Sequence, residues 1–325
     1  MNRRCPAVFM MLALLVRVGS IGINDDGFIV VSPNLRHFKD RSTGETWVPI
    51  GLNVAWPSGD PHMYYEQFFA KLGAANATFA RIWLGPSVLQ SFNELSLFRS
   101  GIKAYDSKAV AAIDSLVASA ATHGIRLMLT LDSFNGLCPS SVSKNCNWDS
   151  SVWNKHNGGP LNSFLGFWSD DDAANAWRSM AEFAVNRWAA SPAVAFVELF
   201  NEVDMADDLG LAPHSREWQI ATASQLRQLK VFQSRPVCQS FALAKGEAAL
   251  DSNAAFDFTT SHVYQRGGGD IGDIAASVAS YSAAKVPAAR CPQPPCSSLL
   301  LCHLPPCRLP LTTNRRWSPS SAATT

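Results

Sequence analysis

The sequence predicts an α/β chain: an incomplete (β/α)8 TIM barrel with about six recognisable β/α units, followed by an irregular Pro/Cys-rich C-terminal tail. Three observations predict it. From Phe28 onward, short β-branched and aromatic runs alternate with stretches of helical spacing, the pattern of a parallel sheet with crossover helices. The run AVAFVELFNEVD at 193–204 is apolar and then ends abruptly in Asn201, Glu202 and Asp204, as a buried strand does when it delivers polar groups at its C-terminal end, where such barrels keep their chemistry. After Lys285 the alternation stops. Six prolines at 292, 294, 295, 305, 306 and 310 break any helix or central strand.

The elements follow in order. Phe28 to Val31, with a turn at Ser42-Thr43-Gly44, reads as a small hairpin closing the barrel floor. Strand one is Val48 to Val54, and Tyr65, Phe68, Phe69 and Leu72 give 63–74 helical spacing. TFARIWL at 78–84 is strand two. Asp106 caps a helix that runs through His123 and stops at Gly124. IRLMLTL at 125–131 is strand three. The segment 132–169 is too long for an ordinary connection and too rich in large aromatics for disorder, so it reads as an ordered wall over the barrel mouth. A helix over 170–190, strand four at 193–204, a helix over 215–230, strand five at 235–243, strand six at 256–264 and a helix over 271–285 complete the pattern.

Residues 1–20 read as a signal peptide: Asn2-Arg3-Arg4, an apolar run from Ala7 to Val16, and small residues at Gly19-Ser20. The run is short for a membrane span, with an uncleaved anchor as the alternative. The expected organisation is therefore 1–20 signal, 21–286 partial barrel, 287–325 tail, with the mature protein secreted, extracellular and clear of the membrane. Secretion permits disulfides, and Cys138 and Cys146 share one polar segment that they could staple, whereas Cys238 reads as a small buried apolar residue. Asn76-Ala77-Thr78 is a glycosylation sequon, expected to be poorly used because it abuts a buried strand.

A net charge of +1 over 325 residues leaves no electrostatic footprint for nucleic acid and suits a neutral ligand. Glu202 could equally cap a helix or pair with an arginine. Glu198, four residues earlier, shares its face if the strand stays regular, and lies deeper. His262 and Tyr264 share a face at the end of strand six. Trp56, Trp148 and Trp153 offer flat apolar faces for pyranose rings or ordinary packing. Cys291, Cys296, Cys302 and Cys307 with His303 have loose zinc-finger spacing, but prolines and secretion weigh against it, and no cofactor or metal is expected.

PIGLNVAWP at 49–57, FARIWL at 79–84, LTLDSF at 129–134, WNKHNGGP at 153–160, FVELFNEVD at 196–204 and SHVY at 261–264 occur in this order on successive predicted strands and loops. In this set the chain resembles glycoside hydrolase family 5, the retaining cellulases and mannanases, from about Phe28 to Lys285. The resemblance implies a β-linked polysaccharide or oligosaccharide as partner, mannan or glucan above others, and a monomer if the barrel is complete. It makes Glu202 the general acid/base, Asn201 the group that hydrogen-bonds the sugar 2-hydroxyl, Arg81 the arginine that orients the nucleophile, and His262 and Tyr264 the pair lining the reaction subsite. A retaining glycosidase also needs a second carboxylate about 5–5.5 Å away as nucleophile. The family supplies it from strand seven, yet no Asp or Glu follows Asp273, although the chain has 26 overall. The expected nucleophile is absent, and a misread frame or retained intron reads as its cause, with a carbohydrate-binding pseudoenzyme as the alternative. An arc of six strands should also expose edges that associate.

Overall fold

A computed structural model of the chain describes residues 27–55, 61–85, 95–99, 101–143, 145–208, 210, 214–230, 235–242, 253–262 and 302–303. Within it, strands β1 (Ile29–Val31), β2 (Phe38–Asp40) and β3 (Thr46–Trp47) form an antiparallel sheet. The expected hairpin is thus three-stranded. Its apolar face packs on the barrel floor: the Phe38 ring lies 4.6 Å from Phe196 and 5.0 Å from Phe258, and Trp47 lies 5.7 Å from Phe196.

The main sheet is a curled half-barrel of six parallel strands in sequence order: β4 (Gly51–Asn53), β5 (Phe79–Trp83), β6 (Arg126–Ser133), β7 (Val194–Asn201), β8 (Val237–Phe241) and β9 (Phe258–Ser261). Strands β5 to β9 are buried almost throughout, which is why their sequences read as continuous apolar runs rather than alternations. Strand one is shorter than expected. Only Gly51–Asn53 pair, all three are exposed, and among the described residues no strand pairs with the other side of β4. At the opposite edge, β10 (Cys302–His303) pairs antiparallel with β9. The tail was expected to carry no strand, and this short antiparallel pairing is not a seventh parallel unit.

The crossover helices are α1 (Pro61–Ala74), α2 (Ser107–Thr122), α3 (Asp171–Trp188), the single-turn α4 (Val203–Asp208) and α5 (Ser215–Leu226). The cap read from sequence forms, Asp106 accepting from the backbone N–H groups of Lys108 and Ala109, and Asp170, placed only as the start of its helix, caps α3 in the same way by accepting from Ala173. Gly124 takes φ 69 just past α2, the left-handed step that ends a helix at little cost to glycine. No helix among the described residues is long and apolar enough to cross a membrane.

The segment 134–168 contains four short 3-10 turns and the Cys138–Cys146 disulfide, so it is the ordered wall its aromatics predict. Those aromatics face inward. Trp168, Trp177, Phe200 and Trp218 pack together, with Trp177 stacked 5.3 Å from Phe200, where each such pair contributes about 0.5–1.5 kcal/mol beyond burial. Cys238 is buried in the floor cluster with Phe196 and Phe258, as expected. Asn76, by contrast with its expected shielding, is exposed in a left-handed turn at φ 57. Trp56, Tyr264 and the helix expected over 271–285 lie outside the described residues.

Candidate active site

The carboxyl ends of β4 to β7 converge on a cleft of about 610 Å³. Its described lining is neutral apart from one residue: Tyr64, Phe68, Trp83 and Phe134 give aromatic surface, Asn53, Asn135, Asn145 and Asn201 give amides, and Glu202 is the sole carboxylate among them.

Beneath the cleft sits a buried ion pair. Glu198 is 0% exposed, and its two oxygens accept from Arg81 Nε at 2.8 Å and Nη2 at 2.6 Å. Thr130 Oγ1 donates to the same carboxylate at 3.1 Å, and Ser240 Oγ at 2.7 Å. Register explains the convergence: Thr130 on β6 and Cys238 on β8 lie level with Glu198 on β7, and Ser240 stands two residues beyond Cys238 on the same face. Burial pulls the Arg81 guanidinium toward deprotonation, but the adjacent Glu198 carboxylate, with smaller help from Cys238 and Glu202, more than offsets this and leaves its pKa above the usual arginine value. Arg81 also reaches upward: Nη2 donates to Asn201 Oδ1 at 2.8 Å and Nη1 to Asn53 Oδ1 at 3.3 Å, while its guanidinium carbon lies 5.3 Å from the Trp83 ring centre. Fixed by Glu198 below, Arg81 orients two cleft amides above.

Glu202 stands at the rim. Regular alternation would have kept it on the Glu198 face, but β7 ends at Asn201 and Glu202 turns to φ 49. A left-handed backbone costs a side-chain-bearing residue about 1–2 kcal/mol, so the surroundings must hold it. Its N–H donates to Ser240 Oγ at 3.0 Å, and two residues on the Asp204 carboxylate accepts the Ala242 N–H at 3.0 and 3.1 Å. The Glu202 side chain, 9% exposed, meets the His262 ring Nδ1 and lies 3.5 Å from Asn201 Nδ2.

The geometry therefore brings Arg81, Asn201, Glu202 and His262 together. It does not bring Trp153 or Trp148. Trp153 is 1% exposed, wedged edge-on against Phe98 at 5.5 Å and Phe167 at 5.0 Å; Trp148 is 9% exposed and packs on Phe164. Both are core of the wall, because an aromatic-rich segment must bury rings among themselves before it can offer any to a ligand. The rings that do line the cleft, Tyr64 and Phe68 on α1, Trp83 and Phe134, were missed. The last two sit at the ends of the FARIWL and LTLDSF runs, which is the signal that could have found them. Asn53, Thr130 and Ser240 were missed as well; their partners lie 28 to 68 residues away on other strands, beyond any spacing rule. Among the described residues no group of three His, Cys, Asp or Glu is placed to hold a metal.

The fold and site together define a half-closed parallel β/α barrel with an aromatic and amide-lined cleft and a strand-end glutamate. No protein-family model and no curated protein matches the chain. Solved structures do. The endo-1,4-beta-mannanase from Rhizomucor miehei superposes with a TM-score of 0.58 at 17% identity, covering 79% of this chain and 78% of that one. A glycoside hydrolase family 5 mannosidase from the same organism gives 0.59 at 13% identity over 80% and 71%, and the endo-beta-1,4-mannanase from Thermotoga petrophila 0.51 at 16% over 74% and 58%. At these identities the likeness establishes the fold: a partial (β/α)8 barrel of the kind seen in family 5 mannanases and mannosidases.

Proposed function

We propose that the chain is a β-mannan-type glycoside hydrolase barrel whose cleft binds β-linked mannose polymers or oligosaccharides, with Glu202 as the general acid/base. The observation that carries it is Glu202 at the end of β7, contacting Asn201 and His262 in a cleft otherwise lined by amides and aromatic rings. Neutral sugars present apolar ring faces and hydroxyl edges, which such a lining matches, and the structural neighbours bearing mannanase and mannosidase names support mannose over glucose. Arg81 orients Asn201 toward a sugar hydroxyl.

We propose further that this chain does not turn substrate over at a normal glycosidase rate. Glu198 cannot serve as nucleophile, since it is fully buried and holds two N–H and two O–H donors. The test supplies the missing group. With 2,4-dinitrophenyl β-mannoside and sodium azide, azide attacks the anomeric carbon, the bond to the phenolate breaks, and α-mannosyl azide forms. Its detection, dependent on azide, supports the reading, as does calorimetric binding of mannohexaose in preference to cellohexaose. The absence of both azide product and mannohexaose binding overturns it.

Two accompanying readings belong with this proposal. Residues 1–20 are a cleaved signal and the protein is secreted, supported by the Cys138–Cys146 bridge, which an oxidising compartment favours; a product recovered from the medium should begin near residue 21, and retention of Met1 speaks against cleavage. Residues 21–286 form the barrel unit and 287–325 a separate tail, so limited proteolysis should remove the tail first.

A further inference from the structure

We infer that Ser240, on β8, is the positioning residue that fixes Glu202 in its turned-out conformation and ties it to the buried Arg81–Glu198 pair. The inference rests on the reading of Glu202 as acid/base and names what aims it. Ser240 is fully buried, and its hydroxyl does two things at once: it donates to Glu198 Oε1 at 2.7 Å and accepts the Glu202 N–H at 3.0 Å. A hydroxyl can hold both roles; an alkyl group holds neither. The donor role goes to Glu198, whose Oε1 at 2.7 Å is nearer than the Phe200 carbonyl oxygen at 3.3 Å, and this leaves the Ser240 oxygen facing the Glu202 amide.

That amide belongs to a residue at φ 49, where nothing in the chain's own preference would keep a glutamate. The same strand grips the turn at a second point, because the Ala242 N–H donates to the Asp204 carboxylate. Strand β8 thus holds the Glu202 turn both at its first residue and two residues later. The two holds differ in kind. Asp204 fixes where α4 begins, whereas Ser240 fixes the backbone of Glu202 itself and hence the direction in which its carboxyl leaves the strand toward His262 and the cleft.

The experiment compares the full-length protein with Ser240→Ala and Ser240→Thr, using two readouts. By NMR, hydrogen exchange of the Glu202 amide should quicken about tenfold in the Ala variant, as expected for loss of one hydrogen bond, and return toward normal in the Thr variant. In azide-assisted turnover, aryl β-mannosides with poor leaving groups, which require protonation, should slow about tenfold in Ser240→Ala, several-fold more than the dinitrophenyl mannoside; Thr restores the rate. Equal losses on both substrates, or an unaltered Glu202 amide, reduce Ser240 to a packing residue and overturn the inference while leaving the cleft's reading intact. Absence of both azide product and mannohexaose binding in the wild-type protein overturns the reading of the cleft, and the inference falls with it.

Discussion

Strand β4 and the residues leading into it carry exposed apolar surface among the described residues, and the double change Ile50→Lys, Leu52→Lys tests what that surface does. Val48, Ile50 and Leu52 are 43%, 57% and 52% exposed and alternate along one face. Fully burying such a side chain contributes about 1.5–3 kcal/mol. With roughly half of each still open to water, pairing with a second copy gains about 1 kcal/mol per residue, or about 3 kcal/mol for the three. The backbone groups on the free side of β4 add hydrogen bonds to that pairing. Replacing two of the three by lysine removes about 2 kcal/mol of transfer energy and sets ammonium groups against one another. Self-association should weaken by roughly two orders of magnitude at about 1.4 kcal/mol per decade. Sedimentation velocity across a hundredfold range of protein concentration reads this directly. A wild-type protein that stays monomeric throughout, or a double variant that associates as strongly as wild type, refutes the reasoning.

Three further outcomes are expected, measured in that lysine background so that unfolding is followed on a monomer. Arg81→Met leaves Glu198 buried with only hydroxyl donors and should cost about 3–5 kcal/mol in urea unfolding; a loss under about 1 kcal/mol contradicts a tightly held pair. Hydrogen bonds from Arg187, and then from Trp188, hold the Asp114 carboxyl below its ordinary value. Its contribution is present above pH 3.8, the unperturbed value, and is lost as pH falls through the lowered one. Because Asp114 and Arg187 side chains are 41% and 43% exposed, Asp114→Asn should cost under about 1 kcal/mol at neutral pH, and the cost should shrink as pH falls below 3.8; a cost that does not shrink on acidification refutes the link. Cys138→Ser with Cys146→Ser opens an eight-residue separation, which should cost about 2–3 kcal/mol. It should also weaken mannohexaose binding, since Val142, Ser143 and Asn145 of that loop line the cleft; unchanged affinity means the loop contributes no contact.

The parts of the fold legible in the sequence are those written in local chemistry. Asp106 and Asp170 announce their helices through side chains that reach only two or three residues ahead, and Gly124 marks a stop by its tolerance of left-handed φ. The β7 run, 194–201, is legible because a strand buried on both faces cannot hide its composition. Helix α4 was not, since one turn of VDMADD shows no periodicity. Of the site, Glu202, Asn201, Arg81 and His262 came from the ordered strand motifs, and the structure does gather them. What spacing could not give is the break at Glu202: a regular strand predicts it on the Glu198 face, and only the hold from Ser240, 38 residues away, explains why it turns. The tryptophans failed for a related reason. Whether Trp153 meets a ligand or Phe167 depends on the path of the whole 134–168 wall.

The floor sheet has a consequence for how the molecule is made. Phe38 rests on Phe196 and Phe258, so the segment that leaves the ribosome first has its partners among the last strands to emerge. At roughly 5–20 residues per second, about 10–45 s separate the synthesis of Phe38 from that of Phe258. Until Phe196 and then Phe258 emerge, Phe38 lacks its floor partners and Trp47 has only Phe79, so β1 to β3 remain a largely uncovered three-stranded ribbon, marginal by itself in water. Translation speed and holdase supply, more than the final contacts, then set the yield of folded chains, and slowing elongation before residue 258 should lower it.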